Sequence, residues 1–203
     1  MRPTSAVQLA AVCCALLAPA LRAQTKAGSV TVPPAARQIA AAVTALPEEL
    51  RAGAAVLGYS PQNKLVTLRA GQNDMICLAQ PPADTSFHSA CYHKSMEPFM
   101  ARGRELRAQG VKGEQVDTVR FKEIKSGKLT MPQTPSALYT LTGPPNSFDT
   151  ATGKVTGAKW LYVVYIPGAT EKSTGITEKP ALGVPWIMYP GTPKAHIMFS
   201  TGM

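Results

Sequence analysis

The feature that most restricts how this chain folds is a succession of short apolar segments, each bounded by glycine, proline or polar turn residues. With 18 prolines and 16 glycines in 203 residues, few regular elements extend far before a residue that ends them. The segments are rich in Val, Ile, Tyr and Trp, a composition typical of β-strands. Strands are therefore predicted at 54–59, 64–70, 74–79, 137–141, 160–166, 186–189 and 196–199.

The first three predicted strands follow one another closely. Their separators, SPQN at 60–63 and GQN at 71–73, consist of residues that favour tight turns. Three strands joined by two short turns predict an antiparallel meander. The stretch that follows, 80–95, is predicted to be a long loop.

A helix is predicted just before these strands. Ile39, Val43, Leu46 and Leu50 recur at intervals of four, three and four residues, which places them on one helical face. Pro47 interrupts the pattern because proline cannot continue a helix that precedes it. We therefore expect either a kink or two short helices that meet at this proline.

A second amphipathic helix is predicted after the loop. Met96, Phe99, Met100 and Leu106 share one helical face, and Gly110 is a suitable terminator. The segment 114–125 is ambiguous between helix and strand, although its valine spacing fits a helix better. Together these elements predict an α+β fold, in which a largely antiparallel sheet is covered by two or three helices on one side.

The N-terminus predicts export from the cytoplasm. Arg2 precedes an almost wholly apolar run at 6–17, and Pro19 is followed by small residues at Ala20 and Ala23, the order that signal peptidase recognises. A transmembrane helix needs about 20 apolar residues, so an uncleaved anchor is the weaker alternative. The predicted organisation is a signal peptide at 1–23, cleaved after Ala20 or Ala23, an extended lead-in at 24–35 and a single α+β domain at 36–203.

Two cysteines, Cys77 and Cys91, remain after removal of the signal peptide. An even number of cysteines in an oxidising compartment predicts that they form a disulfide. A reactive thiol or a metal ligand is the alternative, but no C-x-x-C spacing supports either.

Basic residues exceed acidic ones, 21 to 12, and many lie in one stretch between 102 and 128. A basic face outside the cytoplasm is suited to an anionic envelope surface or a polyanion. The alternative is a solvated surface of interleaved charges. Nucleic acid is not an expected partner, because aromatic residues do not alternate with the cations. The basic residues of this stretch are Arg102, Arg104, Arg107, Lys112, Arg120, Lys122, Lys125 and Lys128.

Chemistry is hard to assign because the sequence has only three histidines, His88, His93 and His196. If the fold brought them together, they would supply nitrogen ligands for a metal ion. Their spacing matches no metal motif, and neither G-x-S-x-G nor H-E-x-x-H occurs. Catalytic residues, cofactors and the class of enzyme, if any, therefore stay open. The default ligand site for such a fold is an apolar cleft between the sheet and the helix at 96–106.

The segment 68–77, LRAGQNDMIC, resembles part of a group of uncharacterised exported bacterial proteins with two cysteines. In that group an L-R-x-G-x-N strand and turn precedes the first cysteine. YTLTG at 139–143 and HIM at 196–198 are similar to later motifs of the group, whereas Met75 and Ile76 replace its tryptophan. The resemblance implies an exported, disulfide-closed protein and carries no activity.

These observations predict a non-catalytic binding or envelope-associated protein, located in the periplasm or outside the cell, whose partner is an anionic surface or a small ligand. The alternative is a metal-binding protein or metal-dependent hydrolase that uses the three histidines.

Overall fold

The computed structural model describes residues 30–181 and 183–200. The predicted signal peptide and the first part of the lead-in, 24–29, lie outside these residues. Residues 30–34 have no regular secondary structure, and the first helix begins at Ala35.

Eight strands form one sheet in the order β2-β1-β3-β4-β5-β6-β8-β7. Only β1 and β3 are parallel to each other, and every other neighbouring pair is antiparallel. This confirms the α+β fold with a largely antiparallel sheet. The strands are β1 (Ala55–Tyr59), β2 (Leu65–Arg69), β3 (Met75–Leu78), β4 (Phe87–His93), β5 (Ser136–Gly143), β6 (Lys159–Tyr165), β7 (Trp186–Met188) and β8 (His196–Ser200).

The described helices are short, and Pro47 separates the first two as predicted. The α-helices are α1 (Ala35–Ala42), α2 (Glu48–Arg51), α3 (Glu97–Ala108), α4 (Gln115–Lys125) and α5 (Glu171–Thr174), and 3-10 turns occupy Val43–Ala45 and Lys94–Met96. The ambiguous segment at 114–125 is therefore a helix. Within residues 30–181 and 183–200, no helix has the length and apolar character needed to cross a membrane.

The predicted meander is wrong, because β3 pairs with β1 in parallel and not with β2. After β2 the chain crosses the start of β1, where the backbone N–H groups of Gln72 and Asn73 donate to the Gly53 carbonyl at 2.7 and 3.0 Å. Gly71 permits this crossing, since a Cβ atom there would lie 3.0 Å from the Ala55 nitrogen. A turn-forming sequence thus serves a crossover and not a hairpin.

The predicted long loop at 80–95 is also wrong, because Phe87–His93 is strand β4. Cys77 on β3 lies directly opposite Cys91 on β4, and the two form the predicted disulfide with a Cα–Cα distance of 4.0 Å. The disulfide therefore joins neighbouring strands instead of closing an irregular loop, and both of its cysteines are buried.

Helices cover both faces of the sheet, which corrects the prediction that they lie on one side. Successive side chains of a strand point to opposite faces, so each strand supplies two separate apolar clusters. On one face, sheet residues pack against α1 and the 3-10 turn that follows it; the cluster includes Ala42, Val43, Leu46, Val56, Met75, Cys77, Phe87, Cys91 and Leu141. On the other face they pack against α3 and α4; that cluster includes Tyr92, Met96, Phe99, Met131, Val163 and Tyr165.

Candidate ligand-binding site

A cleft of about 860 Å³ lies between α3 and the first strands of the sheet. The default ligand site was predicted at this position, between the sheet and the helix at 96–106. Most of its lining is apolar and comes from the first four strands, the segment after β3 and the part of α3 from Ala101 onward. The apolar lining residues are Leu65, Leu78, Ala79, Pro81, Ala90, Ala101 and Ala108.

Small side chains keep this cleft open. Ala90 on β4 faces α3, where Ala101 and Ala108 line the same space, so little side-chain volume fills the gap between helix and sheet. One strand position further along that face, Tyr92 is 1% exposed and packs with Met96 and other large side chains of the buried cluster. The helix is therefore anchored at its beginning, and the cleft opens along its second half.

A hydrogen-bonded network anchors α3 next to the cleft. The Tyr92 hydroxyl donates to the Glu97 carboxylate, and burial raises the pKa of Tyr92, so the hydroxyl keeps its proton. Arg104 donates from Nη1 to the Tyr92 hydroxyl at 2.9 Å and from Nη2 to Glu97 Oε1 at 2.6 Å. These contacts connect β4 to α3 and fix the guanidinium of Arg104 on the cleft wall.

The rim of the cleft contains further polar groups. Tyr59, at the end of β1, has a raised pKa because of burial and of the nearby Asp84 carboxylate, with Arg104 acting in the opposite direction. His88 Nδ1 lies 3.0 Å from the Thr142 hydroxyl. The remaining charged lining residues are Glu105 and Arg107 on α3.

The structure does not bring the three histidines together. His88 and His93 lie near opposite ends of β4, about 16 Å apart along the strand, and their offset of five positions places them on opposite faces. His196 is on β8, three strands away from β4. In the described ranges, no three His, Cys, Asp or Glu side chains form a group that could hold a metal ion.

His93 contacts a serine and an aspartate side chain. Its Nδ1 atom lies 2.8 Å from Ser95 Oγ and accepts the Ser95 backbone N–H at 3.3 Å, while Nε2 lies 3.8 Å from Asp74 Oδ2. The order of groups resembles a Ser-His-Asp triad. However, the imidazole nitrogen that would act as the base caps the 3-10 turn Lys94–Met96, so local backbone structure accounts for the contact.

His196 is buried between two tyrosines. It is 6% exposed, its Nδ1 lies 2.7 Å from the Lys194 carbonyl oxygen, and its ring lies 5.0 and 5.7 Å from those of Tyr165 and Tyr189. Burial lowers its pKa, and the Lys194 charge adds to this effect, although the bond to the Lys194 carbonyl acts in the opposite direction.

The pH dependence of stability should report this burial. An unfolded histidine binds a proton near pH 6.5, whereas the folded His196 binds it at lower pH, so the protein loses stability as pH falls below about 6.5. We expect His196→Phe to reduce that loss, because the variant has no imidazole to protonate. Urea unfolding at pH values from 7.5 to 5.5 measures how the free energy of unfolding of each protein changes with pH, which gives one slope for the wild type and one for the variant. Equal slopes for the two proteins would show that His196 is not responsible.

A buried ionic cluster ties α4 to the C-terminal strands, and the sequence reasoning missed it. The guanidinium of Arg120, 4% exposed, lies 3.6 Å from the centre of the Phe99 ring and pairs with Asp117. Asp117 also binds Lys194 Nζ at 2.8 Å, and Lys194 lies 4.2 Å above the Tyr189 ring. The one signal in the sequence is an Asp-x-x-Arg spacing within a helix, but surface helices commonly carry the same spacing.

The predicted basic face is smaller than its sequence suggests. Arg120 is buried in the cluster just described, Arg104 binds Glu97, and Arg102 binds both Glu105 and Glu123. These three cations are therefore largely neutralised by neighbouring carboxylates. Exposed cations of the stretch outside these ion pairs include Arg107, Lys112, Lys122 and Lys125.

The chain matches no protein-family model, no curated protein and no solved structure.

Proposed function

We propose that this is a non-catalytic binding protein that acts outside the cytoplasm and holds a small molecule in the cleft between α3 and the sheet. The observation that carries the proposal is the cleft itself, with a volume of about 860 Å³ and a largely apolar lining. Small-molecule sites are typically concave, mostly apolar and equipped with a few polar groups.

The walls of the cleft are held by a disulfide and by hydrogen bonds, which supports a site that is formed before the ligand binds. The Cys77–Cys91 disulfide joins the two strands that supply Leu78 and Ala90. The Tyr92–Glu97–Arg104 network fixes α3 opposite them. A site that needs little ordering on binding keeps more of its interaction energy as affinity.

Two observations support a location outside the cytoplasm. The N-terminal order of charge, apolar run and small residues is that of a signal peptide. The Cys77–Cys91 disulfide is the kind of bond that persists in oxidising compartments.

Filling the cleft should abolish binding of an apolar probe. N-phenyl-1-naphthylamine, an uncharged dye that fluoresces in apolar surroundings, is expected to bind the purified mature protein. Ala90→Phe and Ala101→Phe place a ring in the cleft from opposite walls, so each should weaken binding by about tenfold or more, as lost contact area predicts. The measurement is a fluorescence titration.

Ala40→Phe is the matched control, because Ala40 is exposed on α1, on the other face of the sheet. It should leave the dye affinity unchanged. Circular dichroism would establish that all three variants are folded. The proposal fails if the wild-type protein does not bind the dye, or if folded Ala90→Phe and Ala101→Phe variants bind it as the wild type does.

A further inference from the structure

The charge of the cleft differs from that of the chain as a whole. The chain has a formal net charge of +9, yet the acidic and basic side chains that line the cleft are equal in number. Two of them are already paired, since Arg104 binds Glu97 and Glu105 binds Arg102 at 3.2 Å. The two that remain, Asp84 and Arg107, have opposite charges.

A charged ligand of either sign would meet repulsion in this cleft. An anion at Arg107 would lie near Glu105 and at the C-terminal end of α3, where the helix dipole disfavours negative charge. A cation at Asp84 would share the cleft with the Arg104 guanidinium, which lines the same space. Moving an ion from water into an apolar cleft without a clear counter-charge is strongly unfavourable.

Tyr59 offers the cleft a neutral hydrogen-bond donor. Its raised pKa keeps the hydroxyl protonated, and the bonds that the Gln38 amide forms with Tyr59 reach its backbone N–H and carbonyl while its side chain lines the cleft. A ligand with a hydroxyl, carbonyl or ester oxygen would accept this bond. The remaining lining would contact a hydrocarbon body.

We infer that the ligand is an uncharged, lipid-like molecule whose oxygen-bearing head group binds Tyr59 and whose hydrocarbon part occupies the apolar cleft. This inference rests on the proposed function, since it assigns a ligand class to the same site. The ligand class inferred for this cleft differs from that expected for the exposed cations of α4, which suit anionic partners.

Three probes with the same dodecyl chain and different head groups test the inference. Dodecanoyl glycerol, dodecanoate and dodecyltrimethylammonium, each below its micelle concentration, would displace the naphthylamine dye from the mature protein. We expect the glyceride to bind about tenfold or more tightly than either ion. Its affinity should change less than about twofold between low and high salt, because screening acts on charges.

Tyr59→Phe should weaken glyceride binding about fivefold, the effect of one neutral hydrogen bond. Tyr139→Phe is the matched control, because Tyr139 lies on the other face of the sheet. Both variants keep the aromatic ring and alter only the hydroxyl.

The outcomes separate the two proposals. If the dye itself does not bind, the proposed function fails. The inference is overturned if the dye binds but dodecanoate is the tightest of the three ligands. In that case the site takes anions, and Arg107→Gln should weaken dodecanoate binding while Lys112→Gln should not. A dimer that dissociates when dye is added would assign the cleft to a second copy of the chain and would also overturn it. Tightest binding of the glyceride, with the Tyr59→Phe effect, supports it.

Discussion

Removing the Cys77–Cys91 disulfide by replacing both residues with alanine is expected to lower the free energy of unfolding by about 3 kcal/mol. The bond closes a segment with a sequence separation of 14 residues, and closure restricts the unfolded chain. Both sulfur atoms are also fully buried, so their removal adds a loss of packing in the cluster beside α1. Urea denaturation of the oxidised and variant proteins measures the difference.

Reduced wild-type protein is the matched control, since it lacks the bond but keeps both cysteine side chains. It should lose most of the same free energy. The wild type should also lose dye affinity on reduction, because β3 and β4 form part of the cleft. A variant within about 1 kcal/mol of the oxidised protein would contradict the disulfide's stabilising role.

Replacing Asp117 with alanine is expected to destabilise the protein by about 3 kcal/mol, because it leaves the buried Arg120 without a counter-charge. Lys194 would lose its carboxylate partner as well. Burial works against ionisation of Asp117, but hydrogen bonds from Lys194 and Arg120 outweigh it and hold its pKa below the ordinary value. The carboxylate therefore contributes stability above about pH 4, and this contribution is lost as pH falls further.

A double variant tests whether the uncompensated charge is the cause. Arg120→Met retains an extended side chain of similar length above Phe99 without the charge, so adding it to Asp117→Ala should recover much of the lost stability. Glu114→Ala is the control on the same turn, because Glu114 is exposed, and it should have almost no effect. If Asp117→Ala were as mild as the control in urea unfolding at pH 7, the cluster would not stabilise the fold.

The local elements were largely predictable because their signals are local. The stripe from Ile39 to Leu50, broken at Pro47, gave two short helices, and the segments rich in β-branched and aromatic residues became strands. The disulfide was predicted from cysteine number and compartment alone. The position of the cleft was predicted only as the default ligand site of such a fold, between the sheet and the helix at 96–106.

Pairing between elements was less predictable. The same turn residues around Gly71 suit a hairpin or a crossover, and the choice depends on contacts with Gly53 and Ala55, which lie earlier in the chain. The loop prediction at 80–95 failed because β4 alternates between two covered faces, which removes the simple apolar–polar pattern of a half-exposed strand.

The sequence by itself determined where most of the helices and strands form, which cysteines join and how many ionisable groups are available, because backbone preferences and composition act within a few residues. Only the tertiary structure decided which strands are neighbours, that helices cover both faces, that the histidines stand apart and that the cleft lining carries balanced charge. Those properties depend on distances between residues far apart in the chain, such as Asp117 and Lys194, and packing of the whole sheet sets these distances.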